Sequence, residues 1–225
     1  MSGITDHRYI RLRRTWIDVT TVASRRDGVM LYRPGRWYLR FVPWLLWLLA
    51  IFPWPWRKRF ADILPGVDLP DAVSATIYVG NGTTNGKFTV KIRKRDETAE
   101  IVKIARTTGG KSAILHEVDI LKRLDGMGGQ VPTFLGMVWQ GDWLIAWQSV
   151  LPRGRSPLWF QQEHFAFLDE LKKRGLSHGD FAPWNCSIVN GRLVVWDWEE
   201  AGPYVAGKDE AWFKSQVKRL LGVDA

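Results

Sequence analysis

One dipeptide near the carboxyl end constrains this fold more than any other feature of the sequence. Asn190 and Gly191 separate two short apolar runs, residues 186–189 and 192–196. Asn-Gly between apolar runs is the strongest short-range signal for a two-residue β-hairpin, because both residues tolerate positive φ. We therefore predict an antiparallel hairpin whose two outer ends lie side by side.

Three polar side chains flank the open end of this predicted hairpin. Asp180 and Asn185 precede its first strand, and Asp197 follows its second. A carboxylate can orient and deprotonate an acceptor hydroxyl, while an amide oxygen and a second carboxylate can hold Mg²⁺ on phosphates. Phosphoryl transfer needs such a set, although each residue alone is also typical of a surface turn.

The residues upstream predict five strands with one helix inserted after the third. Short β-like segments, some with apolar residues at alternate positions, indicate the strands. A helix over residues 112–124 has Ile114, Val118 and Leu121 at helical spacing. The strands cover residues 75–79, 87–93, 100–105, 131–138 and 143–150.

A second helix is predicted over residues 156–174. Ser156 is a suitable N-cap, Pro157 fits the first helical position, and Gly175 is a suitable stop.

Two charged residues stand out in the predicted sheet and first helix. Lys103 interrupts the apolar run of the third strand, and Glu117 lies beside the apolar face of the helix. A carboxylate in that position needs a partner, and a strand lysine would then be oriented toward nucleotide phosphates. In isolation, Glu117 is typical of a solvated helix residue.

A glycine-rich loop joins the first two predicted strands. Glycine and asparagine tolerate positive φ, so the backbone N–H groups of such a loop can approach phosphates. A plain hairpin loop has the same composition. The candidate nucleotide-binding residues of the loop are Gly80, Asn81, Gly82, Thr83 and Thr84, together with Lys103.

These motifs resemble the aminoglycoside phosphotransferase and choline kinase group of the protein-kinase-like superfamily. The resemblance covers residues 74–200. The residues that carry it are His178-Gly179-Asp180, then Asn185, and then Asp197-Trp198-Glu199.

The resemblance implies an α+β, two-lobed kinase-like fold with a five-stranded N-lobe and a reduced helical C-lobe. It also implies ATP and Mg²⁺ as cofactors. Asp180 would be the catalytic base, with Asn185 and Asp197 as magnesium ligands. Lys103 would contact the α- and β-phosphates, with Glu117 as its ion-pair partner.

The chain departs from this family where an acceptor would bind. Only 28 residues follow Asp197, too few for the long activation segment and peptide-docking region of a protein kinase. Residues 151–177 hold little beyond one helix, so the acceptor pocket must be open or completed from elsewhere. We expect a small-molecule, sugar or lipid-linked acceptor rather than a protein.

The positive charge of the chain is concentrated at its amino end. Residues 1–60 carry 12 Lys/Arg and 3 Asp/Glu, and the remaining residues carry 20 of each, so this segment accounts for the net charge of +9. Charge alone does not distinguish an anionic membrane from nucleic acid as the partner.

An apolar, tryptophan-rich run within this segment favours a membrane. Residues 41–56 contain no charge, but Pro43, Pro53 and Pro55 interrupt them, and a spanning helix needs about 20 residues. Tryptophan and flanking cations suit the head-group region. We predict an in-plane or re-entrant anchor; a core helix or an oligomer contact is the alternative.

Together these features predict a kinase held at a membrane surface. The expected organisation is a basic arm over residues 1–60, an N-lobe over 61–150 and a C-lobe over 151–225. A single cysteine agrees with a cytoplasmic location, peripheral on the cytoplasmic face of the inner membrane. The alternative is a catalytically weak, kinase-like membrane scaffold or regulatory binding protein. Nucleic acid is not an expected partner.

Overall fold

The computed structural model describes most of the chain as two compact units. The first unit comprises Met1–Lys111 with Gly136–Trp147, and the second Ser112–Leu135 with Gln148–Ala225. The predicted glycine-rich loop at residues 80–84 and the apolar run at residues 41–56 lie outside the described residues. The described residues are 4–12, 15–18, 20, 57–79, 86–152 and 154–222.

Among the described residues, eight strands form one sheet, most of it in the first unit. In chain order they are β1 (Arg8–Leu12), β2 (Thr15–Asp18), β3 (Lys58–Arg59), β4 (Ala72–Val79), β5 (Lys87–Lys94), β6 (Ala99–Ala105), β7 (Phe134–Gln140) and β8 (Trp143–Ser149). Across the sheet the order is β3-β1-β2-β4-β5-β6-β8-β7. The pairs from β3 to β6 are antiparallel.

The apolar core of the first unit lies against one face of this sheet. Val90 and Ile92 of β5 alternate with polar residues, and across the strands Val102 of β6 lies opposite Val90 and Ile104 opposite Phe88. Successive side chains of a strand point to opposite faces. Lys103 therefore lies on the face away from this apolar core, in register with Thr89 of β5.

The sheet has more strands than the five that the sequence predicts. The predicted five correspond to β4–β8, with ends shifted by a few residues. The additional β1, β2 and β3 come from the predicted basic arm, residues 1–60. Tyr9 of β1 and Trp16 of β2 are buried in the core of the first unit. Burial of these two aromatic side chains favours pairing of their strands with the sheet over a separate arm.

In the part of the chain that the structure describes, four α-helices accompany the strands, and two small β-pairs lie in the second unit. The helices are α1 (Phe60–Ile63), α2 (Thr108–Arg123), α3 (Gln162–Lys173) and α4 (Lys208–Leu221). Strand β9 (Leu176–Ser177) pairs with β12 (Gly202–Pro203), and β10 (Cys186–Val189) pairs with β11 (Arg192–Val195). The core of the second unit includes Phe167, Leu171, Phe181, Trp198 and Phe213.

Helix α3 begins five residues later than the sequence predicts. Ser156 and Pro157 do not start it; Gln161 is the N-cap residue, and its backbone N–H donates to His164 Nδ1 at 3.2 Å. That bond satisfies a donor at the helix start, which a cap must do. The predicted stop is confirmed, since Gly175 follows the helix with φ 66°.

Among the residues that the structure describes, no helix combines the length and the apolar character needed to cross a membrane.

Candidate active site

The predicted hairpin is present and forms the base of the candidate site. Strands β10 and β11 are antiparallel, with Val189 opposite Arg192. Asn190 has φ 50° and Gly191 has φ 71°. Both values are positive, as a type I′ turn requires, so the turn chemistry inferred from Asn-Gly is confirmed.

The open end of the hairpin brings the flanking polar residues together. The backbone N–H of Trp196 donates to the carbonyl of Asn185 at 3.0 Å. Asp197, the next residue, has φ 69°, a left-handed conformation that costs a non-glycine residue about 1–2 kcal/mol. Backbone strain of this kind clusters at functional sites.

Asp180 and Asn185 are joined by a direct side-chain contact. Asn185 Nδ2 donates to Asp180 Oδ2 at 2.9 Å and to the Asp180 carbonyl at 3.0 Å. Since the amide nitrogen is used in these two bonds, the amide oxygen remains as the acceptor of that buried side chain. The contact thus fixes the orientation of both residues that sequence reasoning placed in the site.

A buried carboxylate that sequence reasoning missed supports the loop before Asp180. Asp209, in the first turn of α4, accepts from the backbone N–H of His178 at 2.8 Å and from that of Gly179 at 2.9 Å. Gly179 has φ 85°. A Cβ there would lie 1.9 Å from the carbonyl oxygen of Glu200, so the loop can follow this path only with glycine.

A tryptophan of the same helix, also missed, contacts Asp180 itself. Trp212 Nε1 donates to Asp180 Oδ1 at 2.8 Å, so each oxygen of this carboxylate accepts one bond. The helical spacing of Asp209, Phe213 and Gln216, all buried, is a signal that could have identified Asp209. No comparable sequence signal identifies Trp212.

His178 is a buried, structural imidazole. Its Nε2 donates to the carbonyl of Trp196 at 3.1 Å, and its ring lies 4.5 Å from that of Trp198. Burial lowers the pKa of His178, although the nearby carboxylates of Asp209, Asp197 and Asp180 act in the opposite direction. The neutral ring therefore braces the loop against the second strand of the hairpin.

The single cysteine of the chain does not supply a nucleophile. Cys186 is buried, and its thiol donates to the Ala182 carbonyl at 3.3 Å. Burial raises its pKa to about 12. A thiol, not a thiolate, is therefore present at neutral pH.

The other two predicted catalytic residues are buried in separate units. Lys103 lies in β6 of the first unit, and Glu117 lies in α2 of the second. A buried charge of this kind requires compensation. Their ion pair remains a prediction.

The donor set around the hairpin suits a hard divalent cation. Asn185 and Asp197 offer an amide oxygen and a carboxylate, and Mg²⁺ takes one or two protein oxygen ligands and completes its shell with phosphates and water. The described residues contain no group of three or more His, Cys, Asp and Glu side chains that could hold a metal by itself. Mg²⁺ bound with a nucleotide does not need such a group.

No protein-family model matches the chain, and no curated protein matches it. Among solved structures, the chain is similar to the crystal structure of a kinase domain, with 16% sequence identity and a TM-score of 0.44. The match covers 76% of this chain and 65% of the kinase domain. A likeness at this level does not by itself assign a fold or an activity.

Proposed function

We propose that the chain is an ATP-dependent phosphotransferase with a protein-kinase-like fold. The bond between Asn185 Nδ2 and Asp180 Oδ2, 2.9 Å long, carries the proposal. It joins a candidate base to a candidate metal ligand, at the end of a hairpin whose other strand leads to Asp197. Phosphoryl transfer requires a base and metal ligands of this kind from a protein.

The roles follow from the chemistry of each side chain. Asp180 orients the acceptor hydroxyl and takes up its proton. Asn185 and Asp197 hold Mg²⁺, which neutralises negative charge on the phosphates when it is bound. Lys103 contacts the nucleotide phosphates and Glu117 orients it; the loop at residues 80–86 covers the nucleotide.

The acceptor is a small molecule, a sugar or a lipid-linked group at a membrane surface. This part of the proposal depends on the sequence alone: the uncharged run at residues 41–56, its five neighbouring or internal tryptophans and the flanking arginines and lysine. A scaffold that has lost catalysis would keep the same membrane segment but would not need Mg²⁺-dependent nucleotide binding.

Calorimetric titration with ATP, with and without Mg²⁺, tests the proposal. In the parent protein, Mg²⁺ should strengthen ATP binding by roughly tenfold or more, because Asp197 would help to hold the ion that neutralises the phosphate charge. Asp197→Ala should abolish this gain. Asp169→Ala, which removes an exposed carboxylate of α3, should retain it. An equal Mg²⁺ effect in the parent and in Asp197→Ala would contradict the metal assignment.

A further inference from the structure

Trp212 holds the oxygen of Asp180 that Asn185 leaves unused. Its indole Nε1 donates to Oδ1 at 2.8 Å, while Asn185 donates to Oδ2 at 2.9 Å. An indole N–H only donates, and a carboxylate oxygen has two lone pairs. Oδ1 can therefore accept from Trp212 and still accept from the hydroxyl of a bound acceptor.

The ring of Trp212 is not placed by burial. On α4, Asp209, Phe213 and Gln216 form the buried face, whereas Trp212 is 42% exposed. Exposing a large aromatic surface forgoes part of its hydrophobic stabilisation. Its bond to Asp180 is the contact that explains this position.

A second exposed indole belongs to the same part of the site. Trp184 lies between Asp180 and Asn185 in the loop and is 46% exposed. The loop that carries Asp180 therefore has one exposed indole within it, and a second exposed indole is bonded to its carboxylate.

We propose that Trp212 is a positioning residue for phosphoryl transfer and that its exposed ring receives a sugar ring of the acceptor. This inference rests on the proposed function. The indole N–H fixes the Asp180 carboxylate, and the electron-rich indole face attracts the C–H groups on the flat side of a pyranose. The ring hydroxyls at the sugar's edge then lie toward Asp180.

The transfer step balances with these groups. The oxygen of the sugar hydroxyl forms a bond to the γ-phosphorus of ATP, and the bond from that phosphorus to the bridging oxygen of ADP breaks. The hydroxyl proton passes to the Asp180 carboxylate and then to solvent. ATP and the sugar are consumed, and ADP and a sugar phosphate are formed.

Two variants separate the functions of the N–H and of the ring. Trp212→Phe removes the donor and keeps an aromatic ring, whereas Trp212→Leu removes both. The probes are Mg·ATP with a panel of hexoses, the open-chain alditol of each hexose, and choline. Trp159→Leu is the matched control, since Trp159 is 55% exposed in the same unit and its ring contact is with Arg155.

We expect the parent to phosphorylate at least one hexose with a kcat/KM at least roughly tenfold above that of its alditol. Trp212→Phe should lower kcat roughly tenfold, the loss of one hydrogen bond to a charged group, with KM for the hexose nearly unchanged. Trp212→Leu should lower kcat similarly and also raise that KM several-fold. Loss of a residue with only a structural role would not lower kcat alone in one variant and change both kcat and KM in the other.

Failure of the proposed function and failure of the role proposed for Trp212 would give different results. If Asp180→Asn leaves Mg·ATP turnover intact, the proposed function itself fails. If Asp180→Asn abolishes turnover but the kcat of Trp212→Phe equals that of Trp159→Leu, only the positioning role of Trp212 fails. Preference for an alditol or for choline over every hexose overturns the sugar-ring assignment.

Discussion

Asp209 Oδ1 accepts a hydrogen bond from the backbone N–H of Gly179 at 2.9 Å, and its Oδ2 accepts from that of His178 at 2.8 Å. One buried carboxylate thereby satisfies two consecutive backbone donors immediately before Asp180. The first turn of α4 also favours negative charge, because the positive end of the helix dipole lies there. The position of the proposed base thus depends on a residue far along the chain.

Replacing Asp209 should destabilise the protein measurably. In Asp209→Asn, one amide oxygen replaces two acceptors and an N–H group faces a backbone donor, so we expect a loss of about 1.5–3 kcal/mol in the free energy of unfolding. Urea denaturation measures it. Glu210→Gln is the control, since Glu210 makes only a partly exposed pair with Lys214. Equal losses in the two variants would contradict the role of Asp209.

Two glycines with similar φ angles should respond very differently to alanine. Gly179→Ala brings a Cβ within 1.9 Å of the Glu200 carbonyl oxygen, whereas Gly191→Ala meets nothing within 4 Å. Gly191→Ala should cost about 1–2 kcal/mol for the left-handed backbone. Gly179→Ala adds a backbone clash and should cost about 3 kcal/mol or more. Thermal and urea unfolding compare the two, and a similar cost in both would refute the close approach.

Acid should destabilise the fold partly through His164. Burial lowers its pKa from 6.5 to about 4, so between these values the unfolded chain takes up a proton that the folded chain does not. Stability is therefore lost as the pH falls from about 6.5 toward 4. His178, with its pKa also lowered by burial, acts in the same direction.

The variant His164→Asn isolates that contribution. Its side-chain oxygen can replace Nδ1 as the acceptor for the Gln161 N–H, and it does not titrate. We expect the fall in unfolding midpoint between pH 7 and pH 5 to be smaller in His164→Asn than in the parent. The same fall in both proteins would show that His164 does not contribute.

The apolar run at residues 41–56 should hold the protein on anionic liposomes. Each buried tryptophan contributes about 1.5–3 kcal/mol, so replacing Trp44 and Trp47 together by serine should release much of the protein in a flotation assay. The control variant Trp159→Ser should remain on the liposomes to the same extent as the parent. High salt should detach the parent only partly, since it screens the flanking charges and not the apolar contacts. Unchanged flotation of the double variant would contradict an interfacial anchor.

The elements that could be predicted from the sequence are those specified by neighbouring residues. The hairpin depends on Asn190 and Gly191, whose positive φ values are intrinsic to these residue types. Alternation within β5 and β6 and the stop at Gly175 are likewise local. The contact between Asn185 and Asp180 joins residues only five apart.

Features that depend on distant partners could not be predicted in this way. Asp209 and Trp212 bond residues that precede them by 30 and 32 positions, respectively. Strand β2 joins the sheet because Trp16 pairs with Ile77 of β4, and no pattern within residues 1–60 indicates that pairing. The start of α3 is set by a cap between Gln161 and His164, which competes with the local signal of Ser156 and Pro157.

Turnover of Asp180→Asn tests the central claim most directly. The measurement compares release of ADP from Mg·ATP by parent and variant, with water and with the hexose panel as acceptors, alongside calorimetric ATP binding. Asparagine keeps the shape of Asp180 but cannot take up the hydroxyl proton. We expect nearly unchanged ATP affinity and a turnover lowered by roughly 10²-fold or more. A variant that releases ADP at nearly the parental rate would contradict the assignment of Asp180 as the base.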